Sequence, residues 1–469
     1  MERVPINNLG IPPLGGVCSY ADACNPGYSV EHNVDLLRRY NFVETRLNQI
    51  AAAHLAHTPE WEVKCALSYH LWLDSQHSVA IRIRVSEMRE PPLHLDRVPD
   101  AKLGALLDET IRAENTIELL VGVYRVIKPE LVRALRKHLA ETNPLIDQPT
   151  CRILKWNLQE EEEMIAWGEQ AITALTQTPE AFERARTWET HLRAFLDAAG
   201  GIPGDLVVPE RAVLPQLRSD GCTYEMDVVP QRDDRFFDCY NEAALIDTYF
   251  RDTTLPIEER GYALYFKRLR EMDVPEWMAP IIYKTKGKSW DYYADISRQL
   301  WDEARHAMMG EIGLYQAGVP FYTYPITWTA SYSLNVDYTP FESHLILWGI
   351  EQSLMPRETG KRYEWELTRE GVDPLLTTFQ DYDWADEVLH VHIGRRWLAP
   401  EFNNLEQMRT TAMDALKRWE VSARKYKVHS EQVNWWPDFL ADVREHSKNF
   451  ASKNSIEIDT IQEPSAQQE

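Results

Sequence analysis

No window of about 18 apolar residues occurs in this chain, and no basic start followed by an apolar run opens it. The expectation is a cytoplasmic protein with no membrane span. Cysteine is sparse: Cys18, Cys24, Cys65, Cys151, Cys222 and Cys239 are all there are among 469 residues, and none forms a C-x-x-C pair. Such scatter reads as reduced thiols rather than a disulfide framework. Positive charge is in deficit, with 50 Lys and Arg against 73 Asp and Glu and a net charge of −23. Nucleic acid is therefore not the expected partner, nor is an anionic membrane, because phosphate binding needs clustered cations that release counterions. What the chain does hold in quantity is tryptophan, 16 residues of it, expected in cores and around pockets. Its length exceeds one four-helix bundle and suits two domains.

The periodicity is helical nearly throughout. Residues 1–30 are rich in Gly, Pro and Asn and read as an irregular arm. Two helices follow from His32 to about Glu90, split near Thr58-Pro59, and Pro91-Pro92 ends them. Further helices are predicted over Ala101–Val126, Pro129–Thr142, Pro149–Thr176 and Pro179–Ala199. Gly200-Gly201-Ile202-Pro203-Gly204 then opens a stretch with short β-like runs at Leu206–Val208 and Tyr224–Val229. This gives an N-terminal helical domain over 1–199, a linker over 200–240, a C-terminal helical domain over 241–451 and a disordered tail over 452–469. Helices in the second half are predicted from Asn241 through Arg270, then over Asp291–Gln316, Phe341–Met355, Thr377–Trp397 and Leu405–Lys425. The aromatic interval Val319–Pro340 has no period and reads as a long connection.

Two short strings carry the chemistry. Glu303-Ala304-Arg305-His306 and Glu387-Val388-Leu389-His390 both read Glu-x-x-His on helix-compatible segments. At 3.6 residues per turn, positions i and i+3 share a face, so each pair can offer an oxygen and a nitrogen to one ion. Two such helices, each preceded by a helix carrying a further Glu, make the ligand set of a di-metal carboxylate bundle. Before the second motif the candidate is Glu351. Before the first it is Glu271 or Glu276. Asp295, Asp386 and Arg395 are candidates to support the ligands.

The two halves also echo one another. Leu71-Trp72-Leu73-Asp74-Ser75-Gln76-His77 aligns with Leu300 to His306, and Glu161 to Met164, followed by Gly168, aligns with Glu387 to His390, followed by Gly394. Arg46 to Gln49 aligns with Arg268 to Glu271. In this register the first half offers Met164 where His390 stands and Gln49 where Glu271 stands. The expected architecture is all-α, two tandem bundles descended from one, the N-terminal copy degenerate and without a di-metal cluster among Asp74, His77, Glu118 and Glu161.

On these motifs the chain resembles the ferritin-like diiron carboxylate superfamily, well over Glu258 to Trp397 and as a degenerate copy over His32 to Ala171. The resemblance implies tandem ferritin-like bundles and two Fe ions, or Mn in place of one or both. The ligands would be Glu303, His306, Glu351, Glu387 and His390 together with Glu276 or Glu271. A Glu-x-x-Ala pattern frequent at the first ligand of that superfamily is matched by Glu276-Trp277-Met278-Ala279 and favours Glu276. It also implies an O2-dependent oxidase or oxygenase acting on a small organic substrate, with an electron donor as partner and a homodimer left open. The competing functions are a tRNA-modifying diiron hydroxylase, a ferroxidase or iron-binding protein, and a non-enzymatic helical scaffold.

Overall fold

The computed structural model of the chain describes residues 7–208, 214–219, 222–371 and 373–446. All regular structure among them is helical. Their contacts divide them into two units, the first made of Met1–His54, Tyr69–Met226 and Ser289–Ala294, the second of Leu55–Ser68, Asp227–Lys288 and Asp295–Glu469. The expected tail at 452–469 lies outside the described residues.

The first half supplies α1 (Val30–Leu55), α2 (Trp61–Met88), α3 (Ala101–Thr110), α4 (Thr116–Val121), α5 (Lys128–Glu141), α6 (Gln148–Leu175) and α7 (Pro179–Ala199). A π-helical turn, Gly122–Ile127, joins α4 to α5. The second half supplies α8 (Ile257–Leu269), α9 (Asp273–Lys284), α10 (Trp290–Ala317), α11 (Thr329–Asp337), α12 (Pro340–Ser353), α13 (Lys361–Glu370), α14 (Pro374–Leu398) and α15 (Leu405–Ala423). Three helix starts follow one rule, a capping side chain and then proline: Thr178 before Pro179, Thr339 before Pro340, Asp373 before Pro374. Each cap oxygen accepts from a first-turn N–H, while the proline, which has none to leave unpaired, presets φ.

Three sequence expectations are corrected. Leu206–Val208 and Tyr224–Val229 form no strand, since an extended segment without a paired neighbour has no ladder to join. The helix expected from Asn241 begins only at Ile257, behind Pro256, with a single short turn Ile246–Tyr249 before it. Within Val319–Pro340 the chain forms α11. Its N-terminus is capped from elsewhere: Asp273 on α9 accepts from the backbone N–H groups of Ala330 and Ser331, at 3.2 and 3.0 Å. A cap that distant in sequence leaves no local signal.

Close packing sets the spacing of the motif helices. A Cβ on Gly394 of α14 would stand 2.5 Å from Cδ1 of Trp348 on α12, and one on Gly168 of α6 would stand 2.2 Å from Cγ of Tyr124. Both glycines therefore admit an aromatic ring directly onto helix backbone, Gly394 about one turn from His390 and Gly168 about two turns from Glu161. Gly394→Ala is expected to destabilise the fold by about 1–3 kcal/mol despite the better helix propensity of alanine, because the indole must leave its rotamer. Urea unfolding monitored by tryptophan fluorescence would measure this; an unchanged midpoint would mean that the ring moves freely.

Candidate metal centre

In the second unit α10 carries Asp302, Glu303 and His306, and α14 carries Asp383, Asp386, Glu387 and His390. Asp383, Glu387 and His390 stand at i, i+4 and i+7, so they line one stripe of the helix. Glu351 comes from α12, and Glu271 from the 3-10 turn Arg270–Met272 that joins α8 to α9. These side chains form two groups whose donor atoms lie within 4.8 Å of one another: Glu303, Glu351, Glu387 and His390 in one, Glu271, His306 and Asp383 in the other.

Glu303 stands between them. Its Oε1 is 3.2 Å from His390 Nδ1 and its Oε2 is 3.6 Å from His306 Nδ1. Around His390 Nδ1 lie Glu387 Oε2 at 3.5 Å and Glu351 Oε1 at 3.8 Å. Around His306 Nδ1 lie Glu271 Oε2 at 3.3 Å and Asp383 Oδ1 at 3.4 Å. Ligands of an octahedral ion with bonds of about 2.1 Å stand about 3 Å apart, so little contraction would turn either group into a coordination shell.

Four buried atoms of the clustered imidazoles and carboxylates make no hydrogen bond: Nδ1 of His306, Nδ1 of His390, Oε2 of Glu271 and Oε2 of Glu387. Each of these nitrogens faces carboxylate oxygens at ion-pair distance, 3.2 to 3.8 Å, without the alignment of a hydrogen bond. The far nitrogens are occupied. His306 Nε2 donates to Asp386 at 3.2 Å and His390 Nε2 to Asp302 at 3.4 Å, so the aspartate beside each motif glutamate orients the histidine of the other helix. Such carboxylate–imidazole pairs fix ring orientation in metal sites. Arg298 and Arg305 hold the two aspartates in turn, Arg298 Nε reaching Asp302 at 2.9 Å and Arg305 Nη2 reaching Asp386 at 2.8 Å. Burial opposes the charge on Asp302, but its hydrogen bond from His390 and the Arg305 charge outweigh it and bring the carboxyl down to about 2.

Burial likewise disfavours imidazolium at both histidines. The carboxylates win, Asp383 foremost at His306 and Asp302 foremost at His390, and hold both well above the usual histidine range. Burial, reinforced by the Glu387 charge, pushes the Glu351 carboxyl up. Glu387 is buried too, yet Lys361 holds it well below the ordinary carboxylate range. An incoming cation would take the place of the protons that now offset this acidic cluster.

Two buried cations share the site. Lys361, the first residue of α13, places Nζ 2.8 Å from Asp383 Oδ1 and 2.7 Å from Glu387 Oε1. Arg268 pairs with Asp383 and reaches Glu271 at 2.9 Å. Neither was legible in sequence, because both lie outside the motif helices. Asp383 and Asp302 were missed as well, although the i, i+4 relation of Asp383 to Glu387 was a readable signal.

Glu276 belongs to neither cluster, which corrects the expectation that favoured it. Fully buried on α9, it pairs with Lys64 and with Arg232, whose Nη2 lies 3.0 Å from Oε2. Asp295 bonds Arg396 and Trp397 Nε1, each at 2.7 Å, rather than a motif residue. Glu276→Gln is expected to cost about 3–5 kcal/mol by leaving two buried cations short of a counter-charge, with metal content unaltered. Chemical denaturation read beside elemental analysis separates the two effects, and a loss of metal without a loss of stability would return Glu276 to the ligand set.

The first unit holds a related group: Glu44 on α1, Asp74 and His77 on α2, Glu161 on α6. Here Glu44, not Gln49, stands beside the histidine, 3.2 Å from His77 Nδ1. Glu118 is elsewhere, bound to Arg218 at 2.6 Å. Both ring nitrogens of His77 are engaged, Nε2 by Glu160 at 2.7 Å. Lys128, delivered by the π turn, puts Nζ 2.7 Å from Asp74 and 3.0 Å from Glu161. An ammonium thus neutralises these carboxylates from within.

No family model, no curated protein and no solved structure matches the chain. None of its described helices is long and apolar enough to cross a membrane.

Proposed function

We propose that the second unit holds two metal ions and, with O2, oxidises a small organic molecule. The observation that carries this reading is the set of four buried donor atoms, two imidazole nitrogens and two carboxylate oxygens, left without hydrogen bonds at the centre of an acidic cluster. In this reading Glu351, Glu387 and His390 hold one ion, Glu271, His306 and Asp383 the other, and Glu303 reaches both. The donor set is hard, carboxylate and imidazole with no thiolate, and suits Fe(II) or Mn(II). When bound, such ions supply the change of oxidation state that O2 chemistry needs, with electrons drawn from the substrate and an external donor. The chain's own contribution is orientation and charge: Asp302 and Asp386 fix the two rings, while Lys361 and Arg268 keep Asp383 ionised.

The two units are also proposed to descend from one bundle. Glu44 beside His77 matches Glu271 beside His306, and Gly168 against Tyr124 matches Gly394 against Trp348. In place of Glu351 the first unit has Lys128, a reversal of charge that removes the need for a metal.

Protein stripped with a chelator, loaded with Fe(II) without oxygen and then exposed to O2 tests the function. The expected result is close to two ions per chain and a new absorption band on oxygenation. Protein that retains no iron, or iron that stays unreactive toward O2, would overturn it.

A further inference from the structure

We propose that the two ion positions are unequal, the one at His390 filling first and tightly, the one at His306 filling second and weakly, because Lys361 and Arg268 already hold its third ligand. This rests on the two-ion reading above and concerns how the two positions compete for cations.

The donor atoms differ in what they are already bound to. At the first position Glu387 Oε2 and His390 Nδ1 make no hydrogen bond, and Glu351 Oε1 accepts a neutral amide hydrogen from Gln299 at 3.0 Å. Glu387 meets Lys361 through its other oxygen, Oε1, so the lysine leaves Oε2 for an ion. At the second position Glu271 Oε2 and His306 Nδ1 are free of hydrogen bonds, but Asp383 is committed through both oxygens. Its Oδ1 accepts from Arg268 and from Lys361, and its Oδ2 accepts from Lys361 at 3.0 Å. Lys361 Nζ is also 3.9 Å from Glu271 Oε1, and Arg268 Nη2 is 2.9 Å from the same atom. Both cations are fully buried, so water does not screen them.

A divalent ion entering at His306 must therefore displace charge-assisted hydrogen bonds on Asp383 and sit beside two buried positive charges. An ion entering at His390 meets neither penalty to the same degree. The same device is complete in the first unit, where Lys128 bonds Asp74 and Glu161 and both His77 nitrogens are engaged. Lys361 is a partial version of it: a lysine holding one side of an acidic cluster while leaving the other open. The chemical class of ligand is a hard divalent cation at both positions, with occupancy of the second depending on metal supply.

The test uses the full chain, stripped of metal and kept free of oxygen, with Mn(II) added in steps and free Mn(II) counted by its electron paramagnetic resonance. The expected isotherm has two steps per chain, the second at least about tenfold weaker than the first, as one buried charge at close range is enough to produce. His306→Ala should remove the second step and leave the first. Lys361→Gln, which frees Asp383 Oδ2 and removes a charge beside both positions, should tighten the second step by about tenfold or more. Should Lys361→Gln fail to fold, the wild-type isotherm and His306→Ala decide the matter. Two equal steps in the wild type, or loss of the first ion instead of the second in His306→Ala, would overturn the inequality while leaving a two-ion centre in place. Absence of any bound Mn(II) or Fe(II) would instead overturn the metal centre, and this proposal with it.

Discussion

His390→Ala is expected to lower metal retention by at least about 100-fold and to abolish O2 consumption, while the helical fold survives. The imidazole is the sole nitrogen donor in its cluster, and its Nδ1 faces Glu303, Glu351 and Glu387 without a hydrogen bond. Loss of a residue that merely orients a ligand already costs 10- to 100-fold in affinity in metal sites of this kind, so loss of the ligand should cost more. The truncation also leaves a cavity and takes a positive charge from among carboxylates, since in the ion-free protein His390 is held well above the usual histidine range. A stability loss of about 2–4 kcal/mol follows, enough to measure and too little to unfold a domain of ordinary stability. The linkage has a definite sign. With a folded-state value raised above 6.5, protonated His390 stabilises the ion-free protein fully below that pH, and the contribution fades as pH rises through the elevated value. The stability difference between wild type and variant should therefore be larger at pH 6 than at high pH. Metal content by elemental analysis, with unfolding followed at several pH values, checks both parts. A variant that holds two ions per chain and consumes O2 at the parent rate would show the motif helix to be an ordinary one.

Lys128→Met should produce a large stability loss, about 3–5 kcal/mol, without any change in metal content. The ammonium is fully buried and bonded to Asp74 and Glu161, and Glu161 and Glu44 both face Nδ1 of His77. Methionine fits the volume but leaves buried carboxylates facing one another with only His77 to offset them. Burial already pushes the Asp74 carboxyl up to about 7 in the wild type, even against the Lys128 charge. Without that charge it should rise further, so the variant is expected to recover part of its stability as pH falls and the carboxyls protonate. Guanidinium unfolding at pH 8 and at pH 5 would show the deficit shrinking on acidification. An equal deficit at both values would mean that the lysine acts through packing alone.

Local pattern was enough to read the all-helical class and the places where most helices start. Proline after a capping side chain and apolar residues at helical spacing are local rules; the start expected at Pro179 is where the helix begins, while those expected at Phe341 and Thr377 come earlier, at Pro340 and Pro374. The pairing of Glu303 with His306 and of Glu387 with His390 was likewise legible, because one turn of helix decides which residues share a face. Helix α11 was not, its cap being Asp273, more than fifty residues away along the chain. The choice between Glu271 and Glu276 was not either. Both precede the first motif helix at workable spacing, and only the fold shows Glu276 committed to Lys64 and Arg232 while Glu271 approaches His306.

What the sequence by itself determined is the all-helical class, most of the long helices and the two acid-histidine faces, since these follow from the periodicity of one helix. What only the tertiary structure decided is which charges neutralise which. The reciprocal bonds of Asp302 to His390 and Asp386 to His306, Lys361 on Asp383 and Glu387, and Lys128 on Asp74 and Glu161 each join residues on different helices. A buried charge takes whichever partner the packing brings within about 3 Å, a distance that no spacing along a single helix encodes.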